Sequence, residues 1–377
     1  MVYDDAHRPA SLRADPAWRR WLSQDAGWTE PAAGTFTTRG GQAGWSELRY
    51  RHLVPDPQQW ETLRAGLGPA TAPRPSLITD FSSYNTDLTE PGRSHPRHAA
   101  RPWFQPHWVG DLTLSLRVAV RRPAGELRLE LIKAGHINRC EFDLATGRAT
   151  LWRDGRALGE SAPTPLGMPG NHSLVLANVD ERLTLWVDGE RPFGDGKVDS
   201  DSEKEVPARP TSADLEPARV AVRRAEVELS GLVLKRDLYY TLDPSEPDHR
   251  ELNNLPYLGP AALFNLLAEP GQYAALADPP ARDFPLGRGA YLMLGDNSPW
   301  SRDGRAWGRA DQIDPNAPGK GWDESGRESW EVPEALIVGK AFCVYWPHLK
   351  PVWPELRIGT DYRLPARPYL ERMRWIR

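Results

Sequence analysis

Hydrophobic and polar residues alternate most regularly from Trp108 onward. Leu112, Leu114, Leu116, Val118 and Val120 are separated by Thr113, Ser115, Arg117 and Ala119, the period of two expected of strands with one buried face. Leu127, Leu129 and Leu131 repeat the pattern. Two apolar runs then end in a turn signal, Thr150-Leu-Trp-Arg-Asp-Gly155 and, 34 residues later, Thr184-Leu-Trp-Val-Asp-Gly189. Asp-Gly supplies the positive backbone angles of a type I′ hairpin turn. Two copies are too few for a solenoid or propeller. With further strands at Val220–Val222 and Val227–Leu234, the many short strands and intervening turns predict a β-sandwich over 105–238.

The flanking regions read differently. Residues 1–104 are rich in Trp, Arg and Pro with short apolar pieces such as Leu77-Ile78, and predict an irregular region with a few strands. The segment 92–106 carries two His, three Arg and three Pro, the pattern of an exposed connector. Residues 239–284 predict a linker holding one clear helix, Pro260–Ala268, which Pro260 opens and Pro270-Gly271 closes. Leu336–Trp346, eleven residues with Lys340 inside, reads as a buried strand. The fold class expected is mainly β.

Composition supports that class and narrows the chemistry. Among 377 residues there are 37 Pro, 32 Gly and 16 Trp, which punctuate the chain with turns and supply large aromatic core residues. Lys plus Arg number 47 against 51 Asp plus Glu, a net charge of -4 that gives no electrostatic case for nucleic acid. Cys140 and Cys343 form no CxxC and each has only a lone His nearby, His136 and His348, so neither a zinc site nor a disulfide framework is indicated. No run of 18 apolar residues occurs, and the opening Met-Val-Tyr-Asp-Asp has neither the basic nor the apolar region of a signal peptide. As written, the chain is expected to be soluble.

Familiar catalytic and phosphate-binding templates are missing: there is no GxSxG, GxxxxGK[ST] or HExxH, and no GxGxxG follows a strand. His95 and His98 would need a helix to share a metal, and the prolines around them oppose one. Asp195, Asp199 and Asp201 offer a calcium reading, but without the Gly and terminal Glu of an EF-hand the run 194–205 reads as a solvated surface loop. No cofactor is indicated. The densest polar cluster follows the apolar run Tyr291–Leu294: Gly295 permits a tight turn, and Asp296, Asn297, Ser301, Asp303 and Arg305 crowd behind it. Spacing alone leaves two readings open, a hydrogen-bonded turn with no chemistry and a supported reactive loop.

The stretch Gly295-Asp296-Asn297 with Ser301-Arg302-Asp303-Gly304-Arg305-Ala306-Trp307-Gly308 resembles the Gly-Asp-Asn…Ser-x-Asp-x-Arg-x-Trp-Gly box of type I signal peptidases. Val332-Pro333-Glu334 with Ile337-Val338-Gly339-Lys340-Ala341 resembles the stretch that follows it there, and Gly289-Ala290-Tyr291 resembles the lead-in. The resemblance covers 285–350, leaving 351–377 as a C-terminal tail. The earlier part is similar to the large insertion of planctomycete-type signal peptidases, itself laminin-G-like or concanavalin-like.

That resemblance implies a membrane-anchored serine endopeptidase of the outer face of the cytoplasmic membrane, acting on preproteins that carry signal peptides. In it a Ser hydroxyl attacks the peptide bond and a Lys amine, kept neutral by burial, is the base. It assigns Ser301 to orienting that Lys, Gly295 to the tight turn, and Asp296, Asp303 and Arg305 to holding the loop. The nucleophile's Ser-Met-x-Pro run and the base's Lys-Arg-Val-x-Gly-x-Pro-Gly run do not occur. Lys235-Arg236-Asp237 lacks the following turn, so Lys235 reads as a surface charge at a strand end. The chain is therefore expected to begin inside the protein, with its membrane segment, nucleophile and base upstream, and to be inactive alone. Alternatives are an inactive partner of a signal peptidase, or a carbohydrate- or protein-binding sandwich. In the latter Trp103, Trp108, Trp152 and Trp186 would line one face, although alternating Trp residues are more often core.

Overall fold

A computed structural model describes residues 2–3, 15–23, 25–41, 43–65, 67, 71–80, 107–198, 208–238, 240, 260–273, 283–295, 303–304, 330–339, 343–344, 349–358, 362–368 and 374–375. Two compact units are distinguished, Met1–Arg282 with Gly295–Ala306, and Asp283–Leu294 with Trp307–Arg377.

The first unit is an antiparallel β-sandwich of two eight-stranded sheets. Its strands are β1 (Val2–Tyr3), β2 (Trp21–Ser23), β3 (Thr29–Ala32), β4 (Thr35–Thr37), β5 (Ser46–Tyr50), β8 (Leu112–Arg122), β9 (Glu126–Lys133), β10 (His136–Asp143), β11 (Arg148–Arg153), β12 (Arg156–Ala157), β13 (Ala162–Pro163), β14 (Gly170–Val179), β15 (Arg182–Val187), β16 (Lys197–Val198), β17 (Ala218–Arg223) and β18 (Glu226–Arg236). A separate short ladder joins β6 (Thr79–Asp80) to β7 (His107–Trp108). One sheet runs β16-β15-β14-β8-β18-β4-β3 with β1 beside β18, and the other runs β12-β11-β10-β9-β17-β5-β2 with β13 beside β11.

The alternation seen in the sequence sets the layering. Leu112 to Val120 at every second position of β8 face the interior with Leu174 and Leu176 of β14, opposite Leu127, Leu129 and Leu131 of β9. Each fully buried Leu contributes roughly 1.5–3 kcal/mol through removal from water. Gly125, between β8 and β9, has φ +79°, and a Cβ there would lie 2.3 Å from the Arg224 carbonyl oxygen, so only glycine fits without a backbone shift.

Three expectations change. Strands of residues 2–50 belong to both sheets, so the sandwich begins well before 105; Trp21, Phe36, Leu48 and Tyr50 join its core. They lie in strands of three to five residues, too short to show a period. An unforeseen helix spans Pro57–Arg64. Asp56 caps it by accepting from Gln59 N–H at 2.8 Å, while the Gln59 side chain accepts from Asp56 N–H at 2.9 Å, a reciprocal cap. Leu336–Trp346 is not a continuous buried strand: a 3-10 turn occupies Glu334–Leu336, and Leu336, Ile337 and Val338 are exposed. Among the described residues of that stretch, Cys343–Val344 form a short strand.

The predicted helix spans Pro260–Leu267 and is tied to the first unit rather than lying free in a linker. Leu77 N–H donates to the Leu267 carbonyl at 2.9 Å, and Arg74 reaches Glu269 at 3.0 Å and Asn265 at 3.1 Å.

The second unit contains β19 (Ala290–Leu292) paired with β20 (Glu331–Pro333), β21 (Cys343–Val344) with β24 (Arg374–Trp375), and β22 (Leu349–Ile358) with β23 (Tyr362–Pro368). Residues 351–377 thus carry strands rather than a plain tail.

Candidate functional site

The lead-in to the box and the stretch that follows the box meet in the β19–β20 ladder. Ala290 is opposite Pro333, Tyr291 opposite Val332 and Leu292 opposite Glu331. Positive φ at Gly289 turns the lead-in, and its carbonyl accepts from Glu334 N–H at 2.9 Å. The buried Glu331 carboxylate accepts from Gly287 N–H, and Trp330 donates its indole N–H to the Pro285 carbonyl at 3.0 Å with Phe284 edge-on to its ring. The lead-in 284–292 is thereby laced to 330–334 by backbone, carboxylate and aromatic contacts.

Beyond β19, Gly295 N–H donates to Asp303 Oδ2 at 2.9 Å. Asp303 is only 6% exposed. The contact ties Gly295 to Asp303, the structural work a carboxylate and a turn glycine can do together. Asp296, Ser301 and Arg305 lie outside the described residues, so of the five predicted positions Gly295 and Asp303 are the ones whose geometry is described. Lys235 is exposed on β18.

Lys133, at the end of β9, is a well-buried amine. Burial alone would push its pKa down, but Asp111 at 2.7 Å and the contacting Glu181 carboxylate hold it above the ordinary lysine value. It is a locked cation, not a general base.

On the sandwich, the four tryptophans of the binding reading do not form one face. Trp152 projects from the outer side of one sheet and Trp186 from the outer side of the other, each half-buried between core residues of its strand. Trp108 lies on β7, and Trp103 is outside the described residues. The core tryptophans of the sandwich are Trp21 and Trp28.

Beside Trp152, the outer row of its sheet continues through Arg139, Glu130, Arg219 and Arg49. Glu130, 3% exposed, accepts from Arg139 Nε at 2.8 Å, and Arg128 in the next row bonds Glu141 at 3.0 Å while its guanidinium lies 3.7 Å over Trp45. Mutual ion pairs thus fix a lattice of planar polar side chains, a surface that needs little ordering to meet a hydroxyl-rich ligand.

The two Asp-Gly turns carry a feature that residue patterns had not exposed. Asp154 bonds His136 Nδ1 at 2.7 Å and accepts from Ile137 N–H at 2.8 Å; Asp188 bonds His172 Nδ1 at 2.8 Å and accepts from Ser173 N–H at 2.7 Å. Each Asp N–H also returns to the carbonyl of that same strand residue. The same His–Asp clamp therefore closes one hairpin in each sheet. Burial alone would raise the Asp188 carboxyl, but His172 and Ser173 hold it below the usual carboxylate range.

Among the described residues no group of three or more His, Cys, Asp or Glu is placed to hold a metal ion, and no helix is long and apolar enough to cross a membrane. Asp195, from the calcium reading, bonds Arg191 at 2.6 Å; Asp199 and Asp201 lie outside the described residues.

No family model matches the chain. No curated protein matches it either. Among solved structures, a carbohydrate-binding module from Bacillus subtilis is similar at 8% identity over 57% of this chain and 95% of that one, with a TM-score of 0.31. A protein of unknown function with a galectin-like fold from the same organism is similar at 6% identity over 61% and 94%, TM-score 0.34. A Caenorhabditis elegans galectin is similar at 9% over 34% and 84%, TM-score 0.25.

Proposed function

We propose that 285–350 is the C-terminal part of a signal-peptidase-type serine endopeptidase frame, with the β-sandwich as its inserted module. The observation that carries this reading is the β19–β20 register, which pairs the lead-in to the box with the stretch that follows it, about forty residues on. The Gly295–Asp303 hydrogen bond supports it from the loop side. In this reading the residues of this chain position and brace. Asp303 holds the turn at Gly295, Ser301 orients the base, and Asp296 and Arg305 complete the loop. Attack on the peptide carbonyl and removal of the serine proton belong to a Ser and a Lys outside the stretches matched here, so this chain alone turns nothing over.

DNA read in frame upstream of the Met1 codon tests the proposal. It is supported by an apolar run of about 20 residues followed by Ser-Met-x-Pro and Lys-Arg-Val-x-Gly-x-Pro-Gly. A stop codon and ribosome-binding site directly before Met1 count against it and favour a framework without its catalytic pair.

A second reading concerns the sandwich itself, as a module that binds a hydroxyl-rich ligand such as a glycan. It rests on the locked polar lattice beside Trp152. Neutral oligosaccharides titrated against tryptophan fluorescence test it: the reading expects quenching that Trp152→Ala removes and Trp186→Ala retains. No response across an oligosaccharide panel sinks it.

A further inference from the structure

One end of the sandwich is closed by charges from both sheets. Lys133 of β9 is bonded to Asp111, the residue before β8, and to Glu181 in the β14–β15 turn. Glu181 also pairs with Arg153 of β11 at 3.1 Å. Immediately inside this clamp the interior is not apolar. Asn178 of β14 sits opposite Leu112, one residue in from Asp111, and is 1% exposed; Asn138 of β10 sits opposite Arg153 and Leu131 and is 2% exposed.

Both asparagines belong to the inward-facing sets of their strands, Asn178 with Leu174 and Leu176, Asn138 with Cys140 and Phe142. Yet neither Oδ1 nor Nδ2 of Asn178 has a protein partner, nor does Nδ2 of Asn138. Arg153 Nη1 is not among the unpartnered groups, since Glu181 Oε2 engages it at 3.1 Å. Leaving so many buried polar atoms without partners is costly, about 1–3 kcal/mol for each group, and folded proteins ordinarily satisfy such groups with protein or ordered water.

The chemistry of the orphaned atoms identifies the occupant. Two are donors, Asn138 Nδ2 and Asn178 Nδ2, and one is an acceptor, Asn178 Oδ1. A simple anion would accept from the donors but leave Oδ1 unpaired. A metal cation would meet donors and two positive side chains. A water molecule accepts twice and donates to Oδ1, matching the roughly three hydrogen bonds that buried waters make. We propose that this end of the sandwich is an internal water site, in which ordered water held by Asn138 and Asn178 joins the two sheets behind the Lys133–Glu181 clamp.

The site exchanges with bulk water only when the clamp opens, so its water is long-lived. Oxygen-17 relaxation dispersion on the whole chain, with a high-resolution crystal structure, reads this directly. The proposal expects a long-lived water in the wild type, density within hydrogen-bonding distance of Asn178, and loss of that signal in Asn178→Leu. The urea midpoint adds a test of sign. If water satisfies both sheets, Asn178→Leu strands the partners across the gap and lowers the midpoint. If the chamber is dry, the same near-isosteric change removes an unpaired amide and raises it. A raised midpoint, or wild-type crystals with no water at Asn178, overturns the proposal. The crystal result stands even should the variant fail to fold.

Discussion

Asp214 offers the sharpest stability prediction. It lies in the 3-10 turn Ser212–Leu215, 2% exposed, and its carboxylate accepts from Thr211 N–H at 2.9 Å, Thr211 Oγ1–H at 2.8 Å, Ala134 N–H at 2.9 Å and Gly135 N–H at 3.1 Å. One side chain thereby caps its own turn and ties it to the β9–β10 hairpin, some eighty residues away in sequence. Asp214→Ala orphans three backbone N–H groups and a hydroxyl where water has little access. At about 1–3 kcal/mol per unsatisfied group, reduced by local relaxation, the expected loss is about 3–5 kcal/mol. Burial pushes the Asp214 carboxyl up despite its hydrogen bonds, so the negative charge itself is not what stabilises. Asp214→Asn keeps one acceptor oxygen with two lone pairs and is expected to cost only about 1–2 kcal/mol. Urea unfolding followed by circular dichroism at neutral pH measures both. A loss below about 1 kcal/mol for the alanine variant, or equal losses for the two, would refute the reasoning that buried donors need this acceptor.

Other outcomes are expected alongside. Burial, with Arg20 and Arg236 nearby, drives the His52 pKa from 6.5 down to about 3, so between those values the unfolded chain binds a proton that the folded chain refuses, and stability falls as pH drops. Measured against His52→Gln, the wild type should lose up to about 1.4 kcal/mol more per pH unit between pH 6 and pH 4; parallel pH profiles would contradict this. Gly125→Ala, with positive φ and a backbone clash, should cost about 2–3 kcal/mol in the same urea assay, whereas a change under about 0.5 kcal/mol would mean that the turn rearranges freely. Leu176→Ala, a fully buried core residue, should cost about 2–5 kcal/mol, and near-wild-type stability would place it outside the core.

What could be read from residues alone tracks the length of each element. β8 and β9 are long enough to display period two, and the Asp-Gly turns announce their type, so the central sandwich was legible. Sheet membership was not: the two Thr-Leu-Trp runs look like tandem copies, yet they fall in opposite sheets and send Trp152 and Trp186 to opposite outer faces. Register is set by pairings distant in sequence, such as β18 with β8, which no local pattern records. The His–Asp clamps needed the fold to bring His136 and His172 to the turns, although each histidine standing 16 or 18 residues before an Asp-Gly was a usable signal. Asp56-Pro57-Gln58-Gln59 was visible as an acidic cap followed by Pro and a Gln three positions on, and was obscured by the prolines around it. Leu336–Trp346 misled because an apolar run does not say that its backbone is extended or buried: a 3-10 turn ends at Leu336, and Leu336, Ile337 and Val338 are exposed. At the motif itself, residue identity carried more than geometry, since only Gly295 and Asp303 of the predicted set are described.

The most direct test of the protease-frame account is cleavage of a signal-peptide-bearing preprotein by the protein translated with its in-frame upstream segment. The account predicts cleavage after small residues, none by the 377-residue chain alone, and a fall in kcat/KM of at least about tenfold in Asp303→Ala, the equivalent of about 1.4 kcal/mol of lost transition-state stabilisation. Trp152→Ala should leave the rate unchanged. Turnover by the chain alone, or undiminished cleavage in folded Asp303→Ala, would contradict it.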